Sequence, residues 1–354
     1  MTKAAFFYQL LAAVNKQARP IPTMDRLTRI DCVDKECFAE KSGGSKDPAF
    51  GKSLERPVVQ TPRVERLFFD GFDGTRIAYQ KVGQGRPVVM ANGLGGTFAA
   101  WRHLYTKLAE KWKILCWDYR GLYDSGPPCR PGTLSIPFQC KDLERLLEVE
   151  EVEDAVFMGW SMGTQVCLEF YRAHSSMFKG MVLLNGTHGR PFDTVMGTRL
   201  LKDVIPKLIA LMDVAAPLVN MVVGAAGRFP LLVPALQSAG LVGETLDMDI
   251  FRELVGEFAK LDFHLYAETL NELGNHDAKD VLEIVDCPVL VISGDRDLMT
   301  PVEKAMETAR MLNNSELHII PKASHYAAVE YPDAVNALVE AFLEKTYSPD
   351  PEAI

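Results

Sequence analysis

The chain has 354 residues, which allows one large domain with an insertion or two ordinary domains. With 47% apolar and 24% charged residues, its composition is that of a globular protein and excludes a disordered, collagenous or coiled-coil chain as a whole. The net charge of −9 argues against nucleic-acid partners, because binding to phosphates requires a basic face.

The cysteine pattern predicts reduced, structural thiols. The seven cysteines are an odd number, and they contain no Cys-x-x-Cys pair. Cys116, Cys167 and Cys287 lie in or beside apolar runs, where cysteine behaves as a small buried hydrophobe. The expected compartment is therefore reducing, and we expect the cytoplasm.

Residues 1–57 are a predicted N-terminal extension and linker. They carry ten basic and seven acidic side chains, a net charge of +3 against −12 for the rest of the chain. Residues 4–14 are an apolar stretch that is too short to span a bilayer. We expect this stretch to be a helix docked on the protein's own body. An interfacial helix that makes peripheral membrane contact and a signal peptide are the alternatives.

From residue 58 onwards, short apolar runs alternate with helical patterns. A β-hairpin is predicted at residues 64–70 and 76–82, around a short Gly-bounded turn. Six further runs do not alternate with polar residues, as expected of strands covered on both faces. They are residues 87–92, 114–118, 155–159, 181–185, 289–294 and 317–321. The helical patterns between them are at 98–112, 138–147, 162–174 and 302–312. This order predicts an α/β fold with a mostly parallel, eight-stranded, doubly wound sheet.

The alternation is broken once, at residues 187–280, where only helical patterns occur. This segment is a predicted helical cap, inserted into a core made of residues 58–186 and 281–354. Within the cap, residues 214–243 contain Arg228 as their only charge, but prolines and glycines interrupt them. We therefore expect short helices that cover an apolar cavity rather than a membrane-spanning helix.

A candidate nucleophile lies between the run at 155–159 and the helix at 162–174. The sequence Gly-Trp-Ser-Met-Gly at 159–163 matches a nucleophile elbow, in which small residues allow a helix to pass close to a strand. The Ser161 hydroxyl would then stand at the helix N-terminus, where backbone amides stabilise negative charge. The alternative is a serine that only caps the helix.

A serine needs a base to take its proton, and the base needs a carboxylate. Among seven histidines, His325 alone lies in a loop just past the last strand, at the sheet edge expected for Ser161. The loop after the run at 289–294 offers Asp295 and Asp297, and we predict Asp297 because it lies further from the strand end. The other position where this fold can carry the acid is Asn185, which is neutral.

The oxyanion of an acyl-transfer intermediate needs hydrogen-bond donors. The backbone amide of Met162 follows the nucleophile directly, and the Gly-rich loop at 92–96 is expected to supply a second amide from Leu94. We predict two substrate-binding residues. They are Trp160, which precedes the nucleophile, and Asn92, which begins the Gly-rich loop.

Together these residues resemble the α/β-hydrolase superfamily, from about residue 64 to residue 345, and in particular its capped serine carboxylesterases and monoacylglycerol lipases. The order Ser161, Asp297, His325 is the family's order. Residues 118–125 resemble its Asp-x-Arg-Gly loop, and residues 294–301 its Gly-x-x-Asp-x-x-Thr-Pro pattern. Asn92 departs from the family, which usually has His there, and residues 1–57 match nothing in the fold.

The resemblance implies hydrolysis of a small lipophilic ester through an acyl-enzyme on Ser161, with no metal or organic cofactor. Hydrolysis of carbon–carbon bonds, cofactor-free perhydrolysis and acyl transfer to an acceptor other than water are alternative serine chemistries on this scaffold. A non-catalytic ligand-binding protein on the same fold is an alternative of a different class.

Overall fold

The computed structural model describes residues 30–32, 62–193, 207 and 232–348. Within these residues, nine strands form one sheet in the order β1-β9-β8-β7-β6-β4-β5-β3-β2. The strands are β1 (Ile30–Cys32), β2 (Glu65–Asp70), β3 (Arg76–Val82), β4 (Arg86–Ala91), β5 (Trp112–Trp117), β6 (Ala155–Trp160), β7 (Phe178–Leu184), β8 (Val289–Gly294) and β9 (Ser315–Ile320).

The sheet is mostly parallel, as predicted. β2 and β3 form the antiparallel hairpin, and β3 pairs antiparallel with β5. Every other neighbouring pair is parallel. The eight predicted strands are confirmed. β1 is an addition from the predicted N-terminal extension, and it pairs with β9, which would otherwise be the edge strand. Three residues are too few to produce a recognisable strand pattern.

Helices follow most of the strands. They are α1 (Arg102–Leu108), α2 (Ile136–Val149), α3 (Met162–His174), α4 (Leu232–Ser238), α5 (Met248–Phe258), α6 (Phe263–Asn275), α7 (Val302–Met311), α8 (Ala327–Glu330) and α9 (Pro332–Tyr347). The helix predicted at 98–112 is shorter than expected. A 3₁₀ turn at Phe98–Trp101 precedes α1, and Trp112 pairs with Arg86 as the first residue of β5.

Two hydrophobic cores lie on opposite faces of the sheet. In β6, Ala155 and Phe157 belong to the core that also contains α2, α3 and α7 residues, whereas Val156 and Met158 belong to the core under α1 and α9. Successive strand residues point to opposite faces, so both sets are buried. This explains why the central strands are continuous apolar runs in the sequence.

The described residues between β7 and β8 form helices α4, α5 and α6 and contain no strand. We call residues 187–280 the inserted segment; its boundaries remain a prediction. Its two ends meet in a bridge between Gly189 and Asp277. Residues 194–206 and 208–231, which include most of the apolar stretch at 214–243, lie outside the described residues, as do residues 4–14. None of the helices in the described part of the chain has the length and apolar character needed to cross a bilayer.

A buried ion pair anchors the loop that follows β5. The guanidinium of Arg120 is fully buried and donates two hydrogen bonds to Asp142, at 2.8 and 2.7 Å. It also donates to Thr133 Oγ1 at 2.7 Å and to Asp73 at 3.2 Å. Burial raises the pKa of Asp73, but hydrogen bonds from Thr75 and Arg120 outweigh this effect and lower the pKa to about 2. Asp73 is therefore ionised in the folded protein, whereas burial raises the pKa of Asp142 despite its hydrogen bonds with Arg120.

We expect Asp142→Asn to reduce the free energy of unfolding by about 3–5 kcal/mol, because Arg120 would remain buried without its bidentate carboxylate. Urea denaturation measures this change. Asp280→Asn is the matched control: Asp280 pairs with Arg172 at the surface and its side chain is 68% exposed, so the loss should stay below about 1 kcal/mol. Equal losses in the two variants would contradict the structural importance of the buried pair.

Candidate active site

Ser161 lies at the turn where β6 ends and α3 begins. Its backbone angles are φ 55° and ψ −115°, in a region that side-chain-bearing residues rarely adopt. The Ser161 amide donates to Leu184 O at 3.0 Å, which ties the turn to the end of the adjacent strand β7. A strained serine between a strand and a helix is the local geometry of a nucleophile elbow.

The elbow is possible because α3 passes close to β4 and β6 at two glycines, Gly159 and Gly163, which have no side chains. A Cβ atom on Gly163 would lie 2.0 Å from Ala91 O in β4, and one on Gly159 would lie 2.3 Å from the carbonyl carbon of Gly163. Backbone atoms cannot move aside as a flexible side chain can, so only glycine fits at these two positions.

The Gly-rich loop after β4 lies against the nucleophile. A Cβ on Gly93 would come within 3.1 Å of Ser161 Cβ, and Gly96 N donates to Gly93 O at 2.9 Å to close the turn. The two predicted amide donors directly follow the residues in contact: Leu94 follows Gly93, and Met162 follows Ser161. Their role towards an oxyanion remains a proposal.

Asn92 holds this loop in place. Its Oδ1 accepts a hydrogen bond from Trp101 Nε1 at 2.8 Å, and its Nδ2 donates to Trp117 O at 3.3 Å. Tyr119 Oη donates to Asn92 O at 2.7 Å. Asn92 is 2% exposed. These bonds disfavour the predicted contact between Asn92 and a substrate and indicate a role in positioning the loop.

The structure places His325 against Asp297 rather than Asp295. His325 Nδ1 lies 2.8 Å from Asp297 Oδ2, and both residues are buried. Asp295 is exposed and accepts a hydrogen bond from Lys322 N at 2.6 Å. The sequence rule that chose the aspartate further from the strand end therefore agrees with the geometry.

Asp297 is surrounded by donors. Its Oδ1 accepts from the amides of Met299 and Thr300 at 2.8 Å each, and its Oδ2 accepts from Thr300 Oγ1 at 2.7 Å and from Asn185 Nδ2 at 2.9 Å. Burial raises the pKa of Asp297, but the charge and hydrogen bond of His325 and the two hydrogen bonds from Thr300 outweigh it and hold the pKa below its usual value. The carboxylate is therefore ionised at neutral pH.

Sequence reasoning missed the roles of Asn185 and Thr300. The sequence identifies Asn185 only as a neutral residue where the acid could stand, yet it supports Asp297 and donates to Ser324 O at 3.2 Å. Thr300 lies in the quoted Gly-x-x-Asp-x-x-Thr-Pro pattern, which is the signal that could have found it.

Trp160 joins the nucleophile to the histidine loop. Its Nε1 donates to His325 O at 3.0 Å, and its ring lies against the positions of Gly93 and Gly96. Trp160 is only 7% exposed. Trp160 therefore lies between the histidine loop and the Gly-rich loop and contacts both. Its predicted contact with substrate remains a proposal.

Aromatic side chains of the inserted segment lie next to these loops. Phe258 and Tyr266 flank Gly95 in the Gly-rich loop, and the ring of Phe251 packs edge-on against Tyr326 with 5.5 Å between centroids. Over the described ranges, no group of three or more His, Cys, Asp or Glu side chains is arranged to hold a metal ion.

The strained serine, the hydrogen-bonded His–Asp pair and the mostly parallel sheet define the class of protein. The sequence matches the Alpha/beta hydrolase family over residues 88–338. The chain belongs to that family.

The relatives and the solved structure that this chain resembles are named for different reactions. The chain is 25% identical to the 2-hydroxy-6-oxononadienedioate/2-hydroxy-6-oxononatrienedioate hydrolase of Paraburkholderia xenovorans, over 77% of this chain and 92% of the relative. It is 25% identical to 3-oxoadipate enol-lactonase 2 of Acinetobacter baylyi, over 75% and 92%. The structure of a thermophilic esterase from Thermogutta terrifontis matches with a TM-score of 0.63 and 20% identity, over 80% of this chain and all of that chain. The last match shows the shared fold.

We expect Asp297→Asn to lower kcat by up to about 10⁴-fold while the protein stays folded, because an amide neither fixes the His325 tautomer nor stabilises an imidazolium. Asp295→Asn, which alters an exposed carboxylate in the same loop, should leave kcat close to that of the wild type. Ester turnover, with circular dichroism as the check on folding, measures both. A larger loss in the Asp295 variant would move the acid role to Asp295.

Proposed function

We propose that the protein is a serine hydrolase that cleaves carboxylic esters with a lipophilic acyl group. The observation that carries this proposal is the combination of a strained Ser161 against the Gly93 loop with a His325 whose Nδ1 is bonded to a buried, ionised Asp297. The family membership of the chain supports a hydrolytic reaction, and the fold shared with an esterase is compatible with it.

In the proposed reaction, Ser161 Oγ attacks the ester carbonyl carbon while His325 Nε2 takes its proton. The negative charge that develops on the carbonyl oxygen is stabilised by the amides of Leu94 and Met162. When the tetrahedral intermediate collapses, the carbon–oxygen bond to the alcohol breaks and His325 returns the proton to the alcohol. Water, activated by His325, then hydrolyses the acyl-enzyme and restores Ser161.

Asp297 supports the imidazolium that forms in both steps. Its carboxylate is already desolvated and hydrogen-bonded in the folded protein, so no reorganisation is needed when the positive charge appears. It also holds the proton of the neutral ring on Nδ1, which leaves Nε2 free to act as the base.

A lipophilic acyl group is supported by the aromatic residues next to the site. Phe258 and Tyr266 flank the Gly-rich loop and Phe251 packs against Tyr326, so an acyl chain leaving Ser161 towards the inserted segment would meet apolar surface.

Carbon–carbon bond hydrolysis is a second candidate, because a relative that covers most of this chain is a 2-hydroxy-6-oxononadienedioate/2-hydroxy-6-oxononatrienedioate hydrolase. One comparison of substrates distinguishes ester hydrolysis from carbon–carbon bond hydrolysis. A carboxylesterase turns over p-nitrophenyl esters far better than vinylogous diketones, whereas a carbon–carbon hydrolase shows the reverse preference.

We expect Ser161→Ala to lower kcat by roughly 10⁴- to 10⁶-fold, the loss typical of removing a serine nucleophile. An organophosphonate should add one adduct to the wild-type chain and none to the variant, as measured by intact-protein mass spectrometry. Labelling that persists in the variant would exclude Ser161 as the nucleophile.

We expect kcat/KM for p-nitrophenyl esters to rise with acyl chain length. Burying one methylene contributes about 0.8 kcal/mol, so each added carbon should raise kcat/KM by up to about fourfold until the pocket is full. A flat or falling series from acetyl onwards would contradict a lipophilic acyl site.

A further inference from the structure

Glu330 is a buried carboxylate on which three hydrogen-bond donors converge. It ends α8 and is 4% exposed. Its Oε2 accepts from Ser324 N at 2.7 Å, and its Oε1 accepts from Ser324 Oγ at 2.5 Å and from Gly243 N at 2.6 Å. The proposed mechanism gives this carboxylate no chemical role.

Two of the three donors belong to the loop that carries the proposed base. Ser324 directly precedes His325, so Glu330 fixes the backbone at the point where the histidine begins. Core residues also hold this loop: Asn185 Nδ2 donates to Ser324 O, Trp160 Nε1 donates to His325 O, and His325 Nδ1 is bonded to Asp297.

The third donor comes from the inserted segment. Gly243 precedes α5, and a Cβ on Gly243 would lie 2.9 Å from the carboxylate of Glu330. The same stretch contacts the histidine loop and α8 twice more. Asp247 N donates to Val329 O at 3.3 Å, and the rings of Phe251 and Tyr326 pack edge to face. Glu330 is therefore bonded both to the histidine loop and to the inserted segment.

The chemistry of the three donors calls for a carboxylate. Two are backbone N–H groups and the third is a hydroxyl, so both oxygens of residue 330 must accept. A glutamine would turn its NH₂ group towards either Ser324 N or Gly243 N. One buried donor would then lose its partner, at the full cost of its desolvation.

We propose that Glu330 is a positioning residue that makes the placement of His325 depend on the seating of the inserted segment at Gly243. When the segment is seated, the Gly243 amide holds Oε1, and Oε2 remains aligned with Ser324 N. A shift of the segment moves the carboxylate, and the backbone on which His325 stands moves with it. This inference rests on the proposed role of His325 as the base.

Gly243→Ala tests this coupling from the side of the inserted segment, without touching the histidine loop. We expect kcat per active site to fall by about ten- to a hundredfold, since a displacement of about 1 Å in a catalytic group costs that much. KM should change by less than about twofold, because substrate contacts are kept. Titration with the organophosphonate counts the folded sites.

Gly256→Ala is the matched control. Gly256 lies in α5 of the same segment, and a Cβ there meets no atom within 4 Å. Its kcat and KM should equal those of the wild type, with a melting temperature that is unchanged or slightly higher because alanine favours the helix.

A double-mutant cycle with Glu330→Asp separates coupling from general damage. Aspartate keeps the two acceptor oxygens, but its side chain is one methylene shorter, so the carboxylate no longer reaches residue 243. An alanine at position 243 then has no carboxylate to displace. Gly243→Ala should then lower kcat by less than about twofold when it is added to the Glu330→Asp variant. Additive losses would overturn the proposal. So would a Gly243→Ala variant with a lower melting temperature but wild-type kcat per titrated site.

The failure of this inference is distinguishable from failure of the proposed function. If the wild type neither hydrolyses esters nor takes up the organophosphonate, the proposed function fails and the inference fails with it. If the wild type does both and the Gly243 and Gly256 variants behave alike, the function stands and the inference alone is wrong.

Discussion

The close crossing of α3 over the sheet is the constraint on which the rest of the site depends. Gly159 and Gly163 leave room only for backbone, and the turn between them forces Ser161 to a φ of 55°. Such strain costs about 1–3 kcal/mol and persists only where the surroundings hold the residue in place. Here the fully buried strand β6 and the hydrogen bond from Ser161 N to Leu184 O supply that hold. The close packing at Gly159 and Gly163 therefore determines both the backbone strain of Ser161 and the position of its side chain.

Around this turn, the site is assembled from the loops at the carboxyl ends of neighbouring strands. Asn185 follows β7, Asp297 follows β8 and His325 follows β9, and hydrogen bonds join all three. Parallel strands end at the same edge, so loops that are far apart in sequence become neighbours there. The cost of burying the Asp297 charge is offset by His325 and by the hydrogen bonds from Thr300, and this keeps the carboxylate ionised.

The same scaffold supports different reactions among relatives, since a fold fixes the nucleophile and its neighbours but not the substrate. In this chain, Phe258 and Tyr266 of the inserted segment lie next to Gly95 of the Gly-rich loop. The stretch of the inserted segment from Gly243 to Phe251 also contacts the histidine loop and α8.

The sequence alone determined eight of the nine strands, their order along the chain and the candidate residues Ser161, Asp297 and His325. Those features are encoded locally, in apolar runs buried on two faces and in motifs of a few residues. Only the tertiary structure decided that Asn185 supports Asp297, that Asn92 holds a loop, that Ile30–Cys32 adds a strand, and that Glu330 bonds to Gly243. Each of these contacts joins residues that are far apart in the sequence. Asn185 and Asp297 are 112 residues apart and Gly243 and Glu330 are 87 apart, so no local pattern records their contacts.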